Sequence, residues 1–294
     1  MSCISCGNKS LRLYTDNSYF SLPVFVCDFC GLYVTGNSEV EVKNKVQLLY
    51  KGEYWKEDIV KSYVDTNFTD SDSFAKKRQW QSQFEYCKSF LKNKKDILEI
   101  GVGGGQSIVQ FDQRGYNVTG IEPDPKNVEL INKKLAHGKC LVGFIEEIKI
   151  EKEFDVIWMS HVLEHLLRPD LFLEKIRENL KEDGFFFVEV PNSENEELLK
   201  RLIRAVPHIY HFTKKSLMNV SNNAGYVVIS CDYFRPPTLF EGIINRIFKK
   251  YLRFLRINIF PFYPRIKTTG NKGRDLCIIL GKTKPSQQVG YKSD

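Results

Sequence analysis

The chain has 294 residues, 42% of them hydrophobic and 13% aromatic, with a formal charge of +7 at pH 7. That length can bury one full α/β domain and a smaller satellite, and so modest a charge does not by itself imply a polyanion partner. The opening Met1–Gly7 lacks the basic start and apolar core of a secretory signal, and no run reaches the roughly 18 uninterrupted apolar residues of a membrane span, so a cytoplasmic protein with no transmembrane segment is expected.

Four of the eight cysteines form two C-x-x-C pairs, Cys3 with Cys6 and Cys27 with Cys30, each followed by a glycine, Gly7 or Gly31, that permits a tight turn. The interval between the pairs matches the two knuckles of a zinc ribbon. Four thiolates make a closed tetrahedral site with no open position for substrate, so the expected Zn2+ is structural and folds a segment too short for a core of its own. Redox chemistry is the alternative, but a redox C-x-x-C comes singly after a strand, whereas these pairs lie among short strand-like pieces such as Phe25–Val26 and Leu32–Val34. Cys87, Cys140, Cys231 and Cys277 stand singly in apolar surroundings and are expected in the core. Residues 1–37 are therefore read as a zinc-ribbon-like module.

Residues 38–83 are polar and aromatic and are read as a helical connector, with helix-compatible stretches at Val40–Leu49 and Phe74–Leu91. The aromatic cluster from Leu49 to Trp55 suits either a plug at the domain junction or a cover over a ligand.

Beyond Lys95 strands and helices alternate, which implies a Rossmann-like, mostly parallel sheet covered on both faces. Strands are expected at Asp96–Ile100, Asn117–Ile121, Lys139–Val142, Phe154–Met159 and Phe185–Val190, with helices near Gln106–Arg114, Lys126–Leu135, Leu171–Leu180 and Thr213–Ala224. The first strand runs into Gly101-Val102-Gly103-Gly104-Gly105, a bend that lets backbone amides approach a nucleotide-like ligand. Its sixth position is Gln106, where a dinucleotide fingerprint needs glycine. Glu99, two residues before the bend, repels phosphate and attracts an ammonium or sulfonium group. Glu122 closes the second strand, where a carboxylate takes both hydroxyls of a ribose. A ribose with a cationic tail and no phosphate describes S-adenosylmethionine.

These segments resemble the class I S-adenosylmethionine-dependent methyltransferases. Leu98 to Gly105 looks like their first motif, Gly120-Ile121-Glu122-Pro123-Asp124 like their ribose-binding motif, and Gly143 to Glu147 falls at the adenine-contacting stretch. Phe154 to His165 resembles their fourth strand and following loop, which face the methyl group and the acceptor. The resemblance implies a seven-stranded sheet whose antiparallel last strand is Asp275–Leu280, and cofactor contacts from Glu99, Gly101, Gly103, Gly105, Glu122, Pro123, Ile145, Glu146, Met159 and Ser160. The methyltransferase domain spans 84–294. With its cysteine module the chain is similar to bacterial methyltransferases that carry an N-terminal zinc-binding domain, several of them tied to sugar or surface-glycan modification, which implies a small-molecule or glycan-like acceptor.

Methyl transfer is an in-line displacement that needs an oriented acceptor and, for a hydroxyl, a base. His161 and His165 follow the fourth strand at its carboxyl end and are the candidate catalytic pair, one of them the base; capping and cofactor contact is the alternative role. His208 and His211 precede the helix after the fifth strand, and the resemblance implies that they can approach the same pocket; a local cap or core role is the alternative. His161-Val162-Leu163-Glu164-His165 also matches the inverted zinc-peptidase pattern, in which two histidines on one helix face share a metal, but its place directly after a buried strand opposes that reading. The insertion 235–272 carries an expected helix, 240–257, with an apolar stripe (Phe240, Ile244, Ile247, Tyr251) and a cationic back (Arg246, Lys250, Arg253). Such a helix docks on its own domain or lies on an anionic membrane, a contact that would suit a lipid-linked glycan acceptor. RNA methylation, with nucleic acid held in a basic cleft, and a non-catalytic zinc-stabilised binding protein are the rival functions.

Overall fold

The computed structural model describes residues 2–52, 70–238, 241 and 265–282. Near the N-terminus β1 (Leu11–Thr15), β2 (Val24–Cys27) and β3 (Tyr33–Thr35) form an antiparallel meander. Two helices follow, α1 (Glu39–Gly52) and α2 (Asp70–Cys87), and α2 runs across the expected boundary at 83/84.

The main sheet uses β4 (Asp96–Ile100), β5 (Asn117–Glu122), β6 (Lys139–Val142), β7 (Phe154–Ser160), β8 (Leu180–Pro191), β10 (Val227–Arg235), β11 (Ile266–Thr268) and β12 (Asp275–Gly281), in the order β11-β10-β12-β8-β7-β4-β5-β6. The pairs from β6 to β8 are parallel, whereas β12 runs antiparallel to both β8 and β10. The fold is the expected Rossmann-like one, with β12 as the reversed strand. Its eighth strand, β11, is an addition: it pairs antiparallel with β10 and lies inside the insertion expected to be helical. The amphipathic helix expected at 240–257 lies outside the described residues, apart from Glu241.

Helices α3 (Gln106–Asp112), α4 (Pro125–Asn132), α5 (Pro169–Ile176), α6 (Glu196–Ala205) and α7 (Lys214–Asn223) complete the architecture. The helix expected at 171–180 ends at Ile176. A 3-10 turn at Arg177–Asn179 follows, and Leu180 already begins β8. Helix α7 starts where Thr213 forms a capping box with Ser216.

A short strand that the sequence did not announce, β9 (Tyr210–His211), leaves the large domain and pairs with β3, Tyr33 facing His211 and Val34 facing Tyr210. The ribbon sheet is therefore four-stranded and shared. One apolar cluster accordingly runs from Cys3, Phe20 and Leu32 into Leu98, Met159, Phe186 and Leu217. On the other face Trp158, fully buried, lies 4.2 Å from Phe187 and edge-on to Phe111 at 5.0 Å. Strand β7 and the Phe185–Pro191 stretch of β8 are nearly continuous apolar runs because both faces are covered there. No helix among the described residues is long and apolar enough to cross a membrane.

Candidate functional site

Strand β4 delivers Glu99 to a bend in which Gly101, Gly103 and Gly105 all have left-handed φ, +69°, +53° and +80°. Space as well as conformation demands glycine at two of them: an added Cβ would lie 2.2 Å from Val162 Cγ2 at Gly101 and 2.7 Å from Ile131 Cγ1 at Gly105. The Gly103 amide donates to Glu122 Oε2 at 2.7 Å, and the Asp124 amide donates to Glu122 Oε1 at 3.1 Å. The Glu122 carboxylate is thus fixed against the glycine bend, with lone pairs to spare for two hydroxyls. Glu99 is 4% exposed, and its Oε2 finds no hydrogen-bond partner among the described residues. Burial pushes its carboxyl up to about 8, against a hydroxyl contact from Ser107. A buried carboxylate of this kind calls for a cation, so the residues fit a sulfonium or ammonium group and a ribose.

The other expected cofactor contacts divide. Pro123 and Ser160 are half-buried beside the site, Ile145 is buried, Glu146 is exposed, and the Met159 side chain is fully buried in the core. Ser160 Oγ accepts from Gln83 Nε2 at 2.9 Å.

At the end of β7 the chain turns through His161, a non-glycine residue at φ +57°, held by its amide donating to the Glu189 carbonyl at 2.8 Å. Its ring nitrogens lie 3.3 Å from Glu189 Oε1 and 3.5 Å from Glu164 Oε1. Burial alone would lower its pKa, but the two carboxylates outweigh that and hold it well above the usual histidine range, as an imidazolium. His165 differs: its Nδ1 sits 3.1 Å from the Pro207 carbonyl, which assigns the proton to Nδ1 and the lone pair to Nε2. His208 packs edge-on against His165 at 4.7 Å, with His211 beyond it at 5.6 Å. Burial keeps both neutral, His211 being pushed down to about 3. His161 and His165 do not share a helix face, since only Leu163–His165 is helical and as a 3-10 turn, so the inverted zinc-peptidase geometry is not formed.

Glu189 was not singled out in the sequence. It is fully buried, ion-paired to Arg265 Nη2, and accepts from Gln79 at 2.7 Å and Gln83 at 2.9 Å; Arg265 also binds Asp275 at 2.6 Å. A lone charge within Phe185–Pro191 was the available signal for Glu189, whereas nothing local marked Arg265.

At the N-terminus Cys3 and Cys30 Sγ are 3.5 Å apart, Cys6 and Cys27 Sγ 3.6 Å, and all four lie within 4.8 Å of one another. Tetrahedral Zn–S bonds of about 2.3 Å require sulfur separations of about 3.8 Å, so the donor set fits zinc. Gly7 and Gly31 take φ +71° and +73°, as the knuckle turns require.

Residues 73–231 match the family described as "Methyltransferase domain". The chain belongs to this methyltransferase family. Among curated relatives, a "Ubiquinone biosynthesis O-methyltransferase" of Pelagibacter ubique is 32% identical over 35% of this chain and 44% of its own length. An "Uncharacterized methyltransferase" of Alkaliphilus oremlandii is 27% identical over 49% and 69%. The chain thus spans about half to two thirds of the curated relatives it matches. Of solved structures, an S-adenosylmethionine-dependent methyltransferase from Thermotoga maritima superposes with TM-score 0.52 at 20% identity, over 75% of this chain and 98% of the other. The plantazolicin methyltransferase BamL, solved with S-adenosylhomocysteine, gives 0.56 at 14%, over 83% and 98%. These likenesses establish the class I methyltransferase fold.

Proposed function

We propose that this methyltransferase moves the methyl group of S-adenosylmethionine to a hydroxyl of a small-molecule or glycan-like acceptor. The observation that carries the reading is Glu122 bound to the Gly103 amide beside the buried, unsatisfied Glu99. Glu122 holds the ribose hydroxyls, Glu99 balances the cationic end, and the glycine bend admits the backbone of the ligand. The acceptor stands at the carboxyl ends of β7 and β8, beside His161 and His165. There His161 is a fixed positive charge, and the His165 Nε2 lone pair is the basic atom of the pair. An oxygen acceptor is also what the name of the Pelagibacter relative states for that protein. The four N-terminal cysteines hold one structural zinc ion.

Titration calorimetry with S-adenosylmethionine and S-adenosylhomocysteine tests the reading. Saturable binding is expected, and Glu122→Ala should weaken it at least about tenfold, the cost of two lost hydrogen bonds to a charged group. No binding by the intact protein would overturn it.

A further inference from the structure

The methyl-transfer reading leaves one arrangement unexplained. Glu164, 1% exposed, is the middle residue of the 3-10 turn after β7, and neither of its carboxylate oxygens has a hydrogen-bond partner among the described residues. Its neighbours are imidazoles: His161 Nδ1 at 3.5 Å, His208 Nε2 at 3.8 Å, and the ring of His165. One carboxylate oxygen of Glu164 and one ring nitrogen each of His165 and His208 lie within 4.8 Å of one another. His208 is 8% exposed, and its Nδ1 likewise lacks a partner. Leaving so many buried polar atoms unsatisfied costs about 1–3 kcal/mol each unless something fills the space between them.

We infer that Glu164, His165 and His208 form a binding site for a divalent first-row transition-metal ion, with open coordination positions that take the acceptor's hydroxyl oxygen. One carboxylate and two imidazoles are a donor set that such ions accept, and three protein ligands leave room for further ones. The site deepens the proposed methyl transfer: the His165 Nε2 lone pair is then a ligand to the ion and not itself the base, and a hydroxyl on the ion is acidified there. Its proton leaves to solvent, its oxygen forms the new bond to the methyl carbon, and the carbon–sulfur bond breaks as the sulfonium becomes a neutral thioether. The site is distinct from the cysteine cluster, whose soft thiolates bind zinc and poorly accommodate Mn2+.

The test uses the full chain with its cysteine site loaded with zinc. Mn2+ is titrated in and the free ion followed by electron paramagnetic resonance, with Co2+ as a second probe read by its visible absorption. One equivalent is expected to bind, at least tenfold more weakly in Glu164→Gln, His208→Asn and His165→Asn. S-adenosylhomocysteine binding in each protein reports folding independently of the metal, and the partly exposed His165 supplies a variant that leaves the buried pair intact. Failure of both ions to bind, or binding unchanged in all three variants, overturns the site while leaving the methyl-transfer reading standing. Absence of S-adenosylhomocysteine binding by the unaltered protein would instead remove that reading.

Discussion

With its carboxyl pushed up to about 8, Glu99 holds a proton at neutral pH in the cofactor-free protein, and a cationic ligand must displace it. Affinity for S-adenosylmethionine should therefore climb as pH rises from 6 to 8 and then level, with proton release on binding at pH 7. Calorimetry in two buffers of different ionisation heat reads that release, and an equally steep profile in Glu99→Gln would exclude Glu99 as its source. Stability follows with the opposite sign. A folded-state pKa above the unfolded one gives a contribution complete below the ordinary carboxyl range and lost as pH rises through about 8, so mild alkali weakens the cofactor-free protein. Glu99, Glu122 and the glycines were legible because they lie on one short stretch whose spacing carries the chemistry. The pairing of Glu189 with Arg265 was not, because they meet across 76 positions and only Glu189, a lone charge in an apolar strand, carries a local signal.

Elements follow the same division. The alternation of β4, β5, β7 and β8 with their helices was legible because each strand has a short, mostly apolar centre bounded by turns, Ile157–Met159 and Phe185–Val188 most plainly. The two-residue β9 offered no period to read, yet it ties the segment that carries His208 and His211 to β3. Thr35 on β3 donates its hydroxyl to the His208 carbonyl at 3.2 Å and its amide to Ile209 at 2.8 Å, and the Ile209 amide in turn donates to the Glu164 carbonyl at 2.9 Å. Thr35→Val removes only the hydroxyl bond, worth about 0.5–1.5 kcal/mol. The expected result is lower turnover with cofactor affinity intact, as measured by initial rates beside calorimetry; an equal loss of both would mean that β3 supports the fold generally and not the histidines.

At the scale of the molecule, the N-terminal module was read as a separate unit, and the structure makes it part of a common core. Leu32, Leu217 and Phe186 belong to one cluster, and Thr213 Oγ1 donates to the Cys30 carbonyl at 2.8 Å. Heat should therefore unfold the described body in a single transition, and stripping the cysteines of metal should lower that one midpoint; two resolved calorimetric peaks would contradict a common core. Composition could announce a satellite but not its attachment, since the pairing of β3 with β9 joins positions 33–34 to 210–211. The same pairing bears on biosynthesis. A ribosome releases the cysteine knuckles ahead of the large domain, but their sheet gains its last strand only when residues 210–211 have followed, so a segment that emerges early is late to settle.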